Sequence, residues 1–397
     1  MAELPREGSC GTTLTTTLSV IVDDILAHPT GGIGRYTEEL TRQLVNTAPD
    51  NCVVAGVVSA RSAEEYRLIE DLLPGLEFLE KSSLPRRELR AAWQRGMMRP
   101  RTGGLIHATS LMAPLGRHDR RRVHGSQSVV TIHNARPWTH PQSMAPADRA
   151  FATAMAARAH RYADAVVVPT HAVADELEEA MHFGDRLRVI GAAVGSKLLL
   201  PPDAQQRATR LGLPEKYVLT VGNADEHRGL GSLITSLTLP GDAGLPLLIA
   251  GPSTAAEDVA LSELVSRAGL DASRVRPIGR LDDEDLAVAL DRATVFAYPA
   301  LTEGFALPIL EAFHFGVPVV HSDAAALVEV AGGAGITVPI GSPTDSAGYA
   351  SRLAGAIASV VNDAPLSQKL SYAGYDRAGV FSWRGAAQRI WELHADL

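Results

Sequence analysis

The sequence predicts an α/β protein built from two doubly wound, parallel-sheet domains that face each other across a cleft. Three observations carry this. The chain has 397 residues, too many for one ordinary core and suited to two domains of roughly 150–200 residues. Short runs rich in Val, Ile and Leu alternate with amphipathic stretches of about ten residues or more, as parallel strands joined by helical crossovers do. The alternation also runs through twice, with a break around residues 200–206, where Pro201 and Pro202 forbid a continuing helix.

Residues 1–16 are polar and Thr-rich, without the apolar stretch of a secretory signal, and are expected to form a flexible tail. The first domain, 17–200, opens with the strand LSVIVDD. A glycine turn then feeds a helix on which Ile33, Tyr36, Leu40 and Val45 recur at near-helical spacing. NCVVAGVVS, GLIHATS, VVTIHN, AVVVPT and RLRVIGAAV read as further strands; AEEYRLIEDLL, APADRAFATAMAARAHRYA and HAVADELEEAMH read as helices. After a linker at 201–211, the second domain, 212–379, repeats the pattern. Its expected strands are YVLTVGN, PLLIAGP, VRPIG, TVFAYPA and VPVVHSD, with GLGSLITSLT, AEDVALSELVSRAG, LDDEDLAVALDRA and PILEAFHF as helices. A terminal helix within 380–397, with Trp383, Ala387, Ile390 and Leu393 on one side, is expected to pack back toward the first domain. Ligands of open α/β sheets bind outside the C-terminal strand ends, so the cleft is the expected site.

Composition excludes several classes. An apolar fraction of 46% with 21% charged residues is that of a globular chain, and no window reaches the ~18 apolar residues of a membrane span. Two cysteines, Cys10 and Cys52, make neither a disulfide framework nor a thiolate metal site, which suits a reducing cytoplasm. A net charge of −8 argues against nucleic-acid binding. Between Lys81 and Gly125, however, eleven Lys/Arg stand against two acids. This stretch is either a solvated, loop-rich face or a peripheral contact with an anionic membrane.

The richest chemistry lies in LTEGFALPILEAF. The strand TVFAYPA ends, the chain turns at Gly304, and Pro308 sits where a first-turn proline belongs. Backbone amides of Gly304, Phe305, Ala306 and Leu307 then converge on the positive end of a helix, an anion site suited to a diphosphate. Glu311 can reach sideways to a ribose diol and Glu303 to sugar hydroxyls. Taken alone, the pair is equally compatible with a carboxylate complementing the helix dipole and another left in solvent.

The stretch TEGFALPILEAFHFGVPVV resembles the signature of two glutamates separated by seven residues found in retaining glycosyltransferases of family four, which have the GT-B fold. GGIGRYTEEL, IHATSLMAPL, VVTIHNARPWTHP, ADAVVVPTHAVADEL, YVLTVG, LLIAGP, VRPIGRLDDEDL and FSWRGAA follow in that family's order. The resemblance covers nearly the whole chain. It implies a hexosyltransferase in which Glu311 holds the ribose of a nucleoside-diphosphate sugar, while Glu303 and the 304–307 amides hold the sugar and phosphate. Similarity to segments common in mannosyltransferases favours GDP-mannose as donor, with a glycan, glycolipid or small molecule as acceptor. The sugar nucleotide is a substrate, so no cofactor is expected, and helix ends and basic side chains take the place of a metal ion.

The resemblance also places Gly222 and Asn223 of TVGNADEHRGL at the donor phosphates, with Arg228 as the catalytic cation. Relatives carry an Arg or Thr where Asn223 stands and an Arg-Lys pair where His227 and Arg228 stand; Arg228 does not substitute conservatively for Lys. In the facing domain, Gly31, Gly32 and Gly34 allow a loop to approach the diphosphate closely. His133, at a strand end, is assigned to the donor sugar, and Asn134 replaces the family's usual Asp beside it. His107 is a second candidate on the same edge or a core residue. Residues 321–327 are expected to line the cleft, unless Ser322 and Asp323 serve as a helix cap, and the acids of LDDEDL to cap a helix. These departures leave a second reading, a catalytically silent nucleotide-sugar-binding partner of an active transferase.

Overall fold

The computed structural model describes residues 15–27, 32–101, 104–118, 126–251, 254–342 and 345–397. Two sheets organise them. The first contains β1 (Thr16–Ile21), β2 (Cys52–Ala60), β3 (Leu79–Pro85), β4 (Leu105–Ala108), β5 (Gln127–Thr131), β6 (Ala165–Val168) and β7 (Leu187–Val189). Their order is β3-β2-β1-β4-β5-β6-β7. The second contains β8 (Val218–Val221), β9 (Leu247–Ala250), β10 (Val275–Gly279), β11 (Val295–Tyr298), β12 (Val319–Ser322) and β13 (Ile336–Val338), ordered β10-β9-β8-β11-β12-β13. Every pairing is parallel. Strands covered by helices on both faces read as unbroken apolar runs, and β6, Ala165 to Val168, is buried throughout. The strand order reverses between β1 and β4 and again between β8 and β11, which opens a crevice at each of these points.

Three segments differ from the sequence reading. Residues 81–94, part of the 81–125 stretch expected to be a loop-rich face or a membrane contact, instead belong to edge strand β3 and the helix Arg86–Gln94, which buries Leu89, Ala92 and Trp93. An edge strand needs no apolar alternation, and LEKSSLP has none. Of the basic residues here, Arg86 is tied inward to buried Asp23 and Asp24, while Lys81 pairs with Glu70 and Arg90 with Asp148 at the surface. Arg120 to Arg122 lie outside the described residues. Residues 201–211, read as linker, carry the helix Ala204–Arg210, anchored through Arg207 and Arg210 to Asp285. Beyond β12 the chain adds the helix Ala325–Ala331, β13, and the helices Ser346–Asn362 and Ala364–Ala378.

The last helix, Trp383–Asp396, crosses to the first unit and lies against the helix Gly32–Asn46. Trp391 Nε1 donates to Leu44 O at 3.2 Å and Trp383 Nε1 to Val194 O at 3.0 Å. Ile390 is wholly buried, and burial of a side chain of that size contributes about 1.5–3 kcal/mol. Among the described residues no helix is long and apolar enough to cross a membrane.

Candidate active site

The C-terminal strand ends of both sheets border one cavity of about 690 Å³. On the second-domain wall, β11 leads through Glu303 and Gly304 to Ala306, whose left-handed backbone (φ 58°, ψ 48°) caps the eight-residue helix Leu307–His314, with Pro308 in its first turn. The amides of Phe305, Ala306 and Leu307 have no hydrogen-bond acceptor among the described residues. These three residues line the cavity at the helix's positive end. Gly304 differs from expectation: its N–H is turned to its neighbour Glu303 Oε1 at 3.3 Å. Its carbonyl accepts from Thr170 Oγ1 of the first domain at 3.0 Å. A Cβ at this position would lie 1.9 Å from His133 O, so only glycine lets the domains meet here.

The two glutamates occupy different environments. Glu303 Oε2 accepts from Arg228 Nη1 at 2.6 Å and from Tyr298 OH at 3.0 Å, while the same Arg228 nitrogen donates to Tyr298 OH at 2.9 Å. Burial, and then the Glu303 carboxylate, push the Tyr298 phenol well above its ordinary range. Glu311 lies in the second turn of its helix and is 3% exposed. Its Oε1 accepts from Arg35 Nη1 at 2.6 Å, and Arg35 Nη2 donates to Asp283 Oδ1 at 2.7 Å. Burial raises the Glu311 carboxyl above the ordinary carboxylate range, against the opposing pull of Arg35. Arg35 escaped the sequence reading. Its only signal was a cation just after the glycine turn of GGIGRY, where the helix begins at the cleft.

On the first-domain wall, Gly32 and Gly34 line the cavity, and Gly34 packs so that a Cβ would meet Asp24 O at 2.8 Å. Gly31 lies outside the described residues. His133 follows β5 and lines the cavity; its Nε2–H donates to Thr109 O at 2.8 Å, since a carbonyl only accepts. That leaves Nδ1 as an acceptor. Burial holds the imidazole below its ordinary pKa, hence neutral near pH 7. Asn134 Oδ1 accepts from the Arg136 amide at 3.2 Å. Arg136 also lines the cavity, close enough to feel the charges of Arg228 and Glu303, and its guanidinium bonds to Ser143 O at 2.9 Å and Oγ at 3.1 Å.

Other expected residues fall elsewhere. Gly222 lines the cavity, but Asn223 does not: its side-chain amide donates to Asp225 Oδ2 at 2.7 Å, a local turn bond that draws it away. His107 is fully buried against His394, ring centroids 5.8 Å apart, and belongs to the core. His321 and Ser322 are likewise buried, Ser322 Oγ donating to Ala300 O, while Asp323 accepts from the Ile340 amide at 2.9 Å. None of the three lines the cavity. Asp282 caps its helix through the Asp285 amide, whereas Asp283 turns to Arg35. His227 lines the cavity, yet burial, with Arg136 and Arg228 nearby, pushes it down to about 4, so it is neutral at pH 7.

Comparison with known proteins separates the two halves along the same division. Residues 30–194 match the model described as Glycosyltransferase Family 4, and residues 203–377 match that described as Glycosyl transferases group 1. The chain belongs to the family four glycosyltransferases. The transferase is 27% identical over 348 residues to the O-antigen chain mannosyltransferase B of Escherichia coli, covering 80% of this chain and 85% of that protein. It is 25% identical over 405 residues to the MMP alpha-(1->4)-mannosyltransferase of Mycolicibacterium hassiacum, covering 90% and 92%. Among solved structures, sucrose-phosphate synthase from Thermosynechococcus elongatus superimposes with a TM-score of 0.70 at 22% identity, over 96% of this chain and 98% of that one. Anabaena HepE, in complex with UDP and glucose, also gives 0.70, at 19% identity, over 96% and 100%. The transferase therefore has the GT-B fold, as its two parallel sheets indicate.

Proposed function

We propose that this glycosyltransferase moves mannose from a nucleoside-diphosphate mannose, GDP-mannose being the favoured donor, to a hydroxyl of a glycan acceptor in polysaccharide synthesis, with retention at the anomeric carbon. One observation carries the donor reading. The unpartnered amides of Phe305, Ala306 and Leu307 share a cavity with buried Glu311, so an anion-binding helix end and a diol acceptor stand together. The names of the mannosyltransferase relatives, and the UDP held by a structural neighbour, support the choice of sugar and of ligand class.

In this reading Glu311 accepts from the ribose hydroxyls, and the three amides hold the diphosphate. Arg228, positioned by Glu303 and Tyr298, stabilises the charge that develops as the bond between sugar C1 and phosphate oxygen breaks. The acceptor oxygen bonds to C1 from the face the diphosphate leaves, and its proton passes to the departing phosphate oxygen. The sugar passes through an oxocarbenium-like state. The His133 Nδ1 acceptor positions a sugar hydroxyl, so the protein works by placement and electrostatics without a side-chain nucleophile. The helix end and arginines carry the neutralising charge, with no metal ion in the scheme.

The test incubates the purified chain with GDP-mannose and other sugar nucleotides, a mannose-terminated acceptor, and either EDTA or Mg²⁺. Mannosyl product with retained configuration by NMR, unaffected by EDTA, is the expected result. Inverted product, or strict dependence on a divalent ion, contradicts the mechanism. No transfer from any sugar nucleotide contradicts the function.

A further inference from the structure

The cavity must stabilise a departing diphosphate with at least two negative charges, and its cations are unevenly committed. Arg35 is bonded to Glu311 and Asp283. Arg228 is paired with Glu303 at 2.6 Å, so that pair adds no net charge. His227, beside Arg228 in sequence, is 6% exposed with no bonding partner for Nε2, and burial pushes it down to about 4, so it supplies no charge at pH 7. Lys197, also at the cavity, is paired with Glu38 at 2.5 Å. Arg136 is placed differently. Its guanidinium bonds to Ser143 alone, and no carboxylate lies within ion-pair distance among the described residues.

The position of Arg136 is built. Asn134 Oδ1 accepts its amide, and Ser143 holds its Nε and Nη2. The preceding residues, His133 and Asn134, pack directly on Gly304, at the start of the anion-binding turn. Burial and the nearby Arg228 lower its pKa, with Glu303 and Asp225 pulling the other way. Arg136 from the first domain and Arg228 from the second thus line one cavity, beside Arg35 and Arg280. Such an arrangement costs free energy through like-charge repulsion unless an anion occupies it.

We propose that Arg136 is a second diphosphate-binding cation, supplied by the facing domain, which together with Arg228 grips the donor's phosphates from both sides. This rests on the donor reading above. It ties leaving-group stabilisation to closure, because Arg136 and Arg228 share the anion only while the Gly304 turn sits on His133.

The experiment measures binding of GDP, UDP, GMP and UMP to the wild-type chain, Arg136→Gln and Arg136→Lys by calorimetry, with melting temperatures as a check on folding. The expected result is a loss of about ten- to a hundredfold in diphosphate affinity for Arg136→Gln, the size of one charged hydrogen-bonding contact. Monophosphate affinity should fall much less, and Arg136→Lys should recover part of the loss. Equal losses for mono- and diphosphates, or unchanged diphosphate affinity with a raised acceptor KM, overturn the proposal and leave the donor reading standing. Absence of nucleoside-diphosphate binding by the wild-type chain overturns both.

Discussion

Arg35 Nη1 lies 2.6 Å from Glu311 Oε1 and joins residues 276 positions apart across the cleft. With Nη2 on Asp283, one guanidinium bridges two carboxylates of the second domain. In the proposed function, a ribose reaching Glu311 must share or displace this contact.

Glu311→Ala should therefore weaken nucleotide binding by about 1–3 kcal/mol, the cost of lost hydrogen bonds to a charged acceptor. Calorimetry with GDP and UDP decides it; unchanged affinity removes the ribose assignment. Arg35→Ala leaves Glu311 buried without its cation and should cost about 1–3 kcal/mol of folding stability, read by chemical denaturation.

Arg228→Ala should chiefly lower turnover, by about two to three orders of magnitude, as removal of a preorganised transition-state donor does. Arg228→Lys should restore little. A lysine cannot hold Glu303 and Tyr298 while presenting further donors in a planar fork. Steady-state rates with saturating donor measure both, and full activity in either variant would remove Arg228 from the mechanism.

Gly304→Ala tests the domain contact. Its added Cβ would sit 1.9 Å from His133 O, a backbone atom that cannot swing aside. The variant should fold but open the cleft and lose most transfer activity. Unaltered activity together with an unchanged scattering profile would show that closure at this point is dispensable.

Acid should destabilise the fold through buried histidines. Burial pushes His394 and His227 down to about 4 and His107 well below its usual value. The folded state thus binds fewer protons than the unfolded chain, whose histidines titrate near ~6.5. The stability is present above about pH 6.5 and is lost as pH falls toward 4, by up to about 3 kcal/mol for each of His394 and His227. Urea midpoints at pH 7 and pH 5 measure the loss. His107→Leu, which removes two unpartnered ring nitrogens from the core, should flatten the dependence; an unchanged slope would place the acid sensitivity elsewhere.

The sequence by itself determined what depends on near neighbours. Buried parallel strands must be apolar on both faces, so AVVV and LLIA declared themselves, and a glycine turn ahead of Pro308 marked a helix end able to hold an anion. Residue order also identified the family. Only the tertiary structure decided which side chains meet. β3 stayed hidden because an edge strand needs no apolar alternation, and the helix Ala204–Arg210 because its anchor, Asp285, lies far along the chain. His107 was claimed by a core that includes the last helix. Arg35 and Arg136 were legible only as cations near a cleft. Their partners depend on how two sheets pack against each other, and no local periodicity encodes that packing.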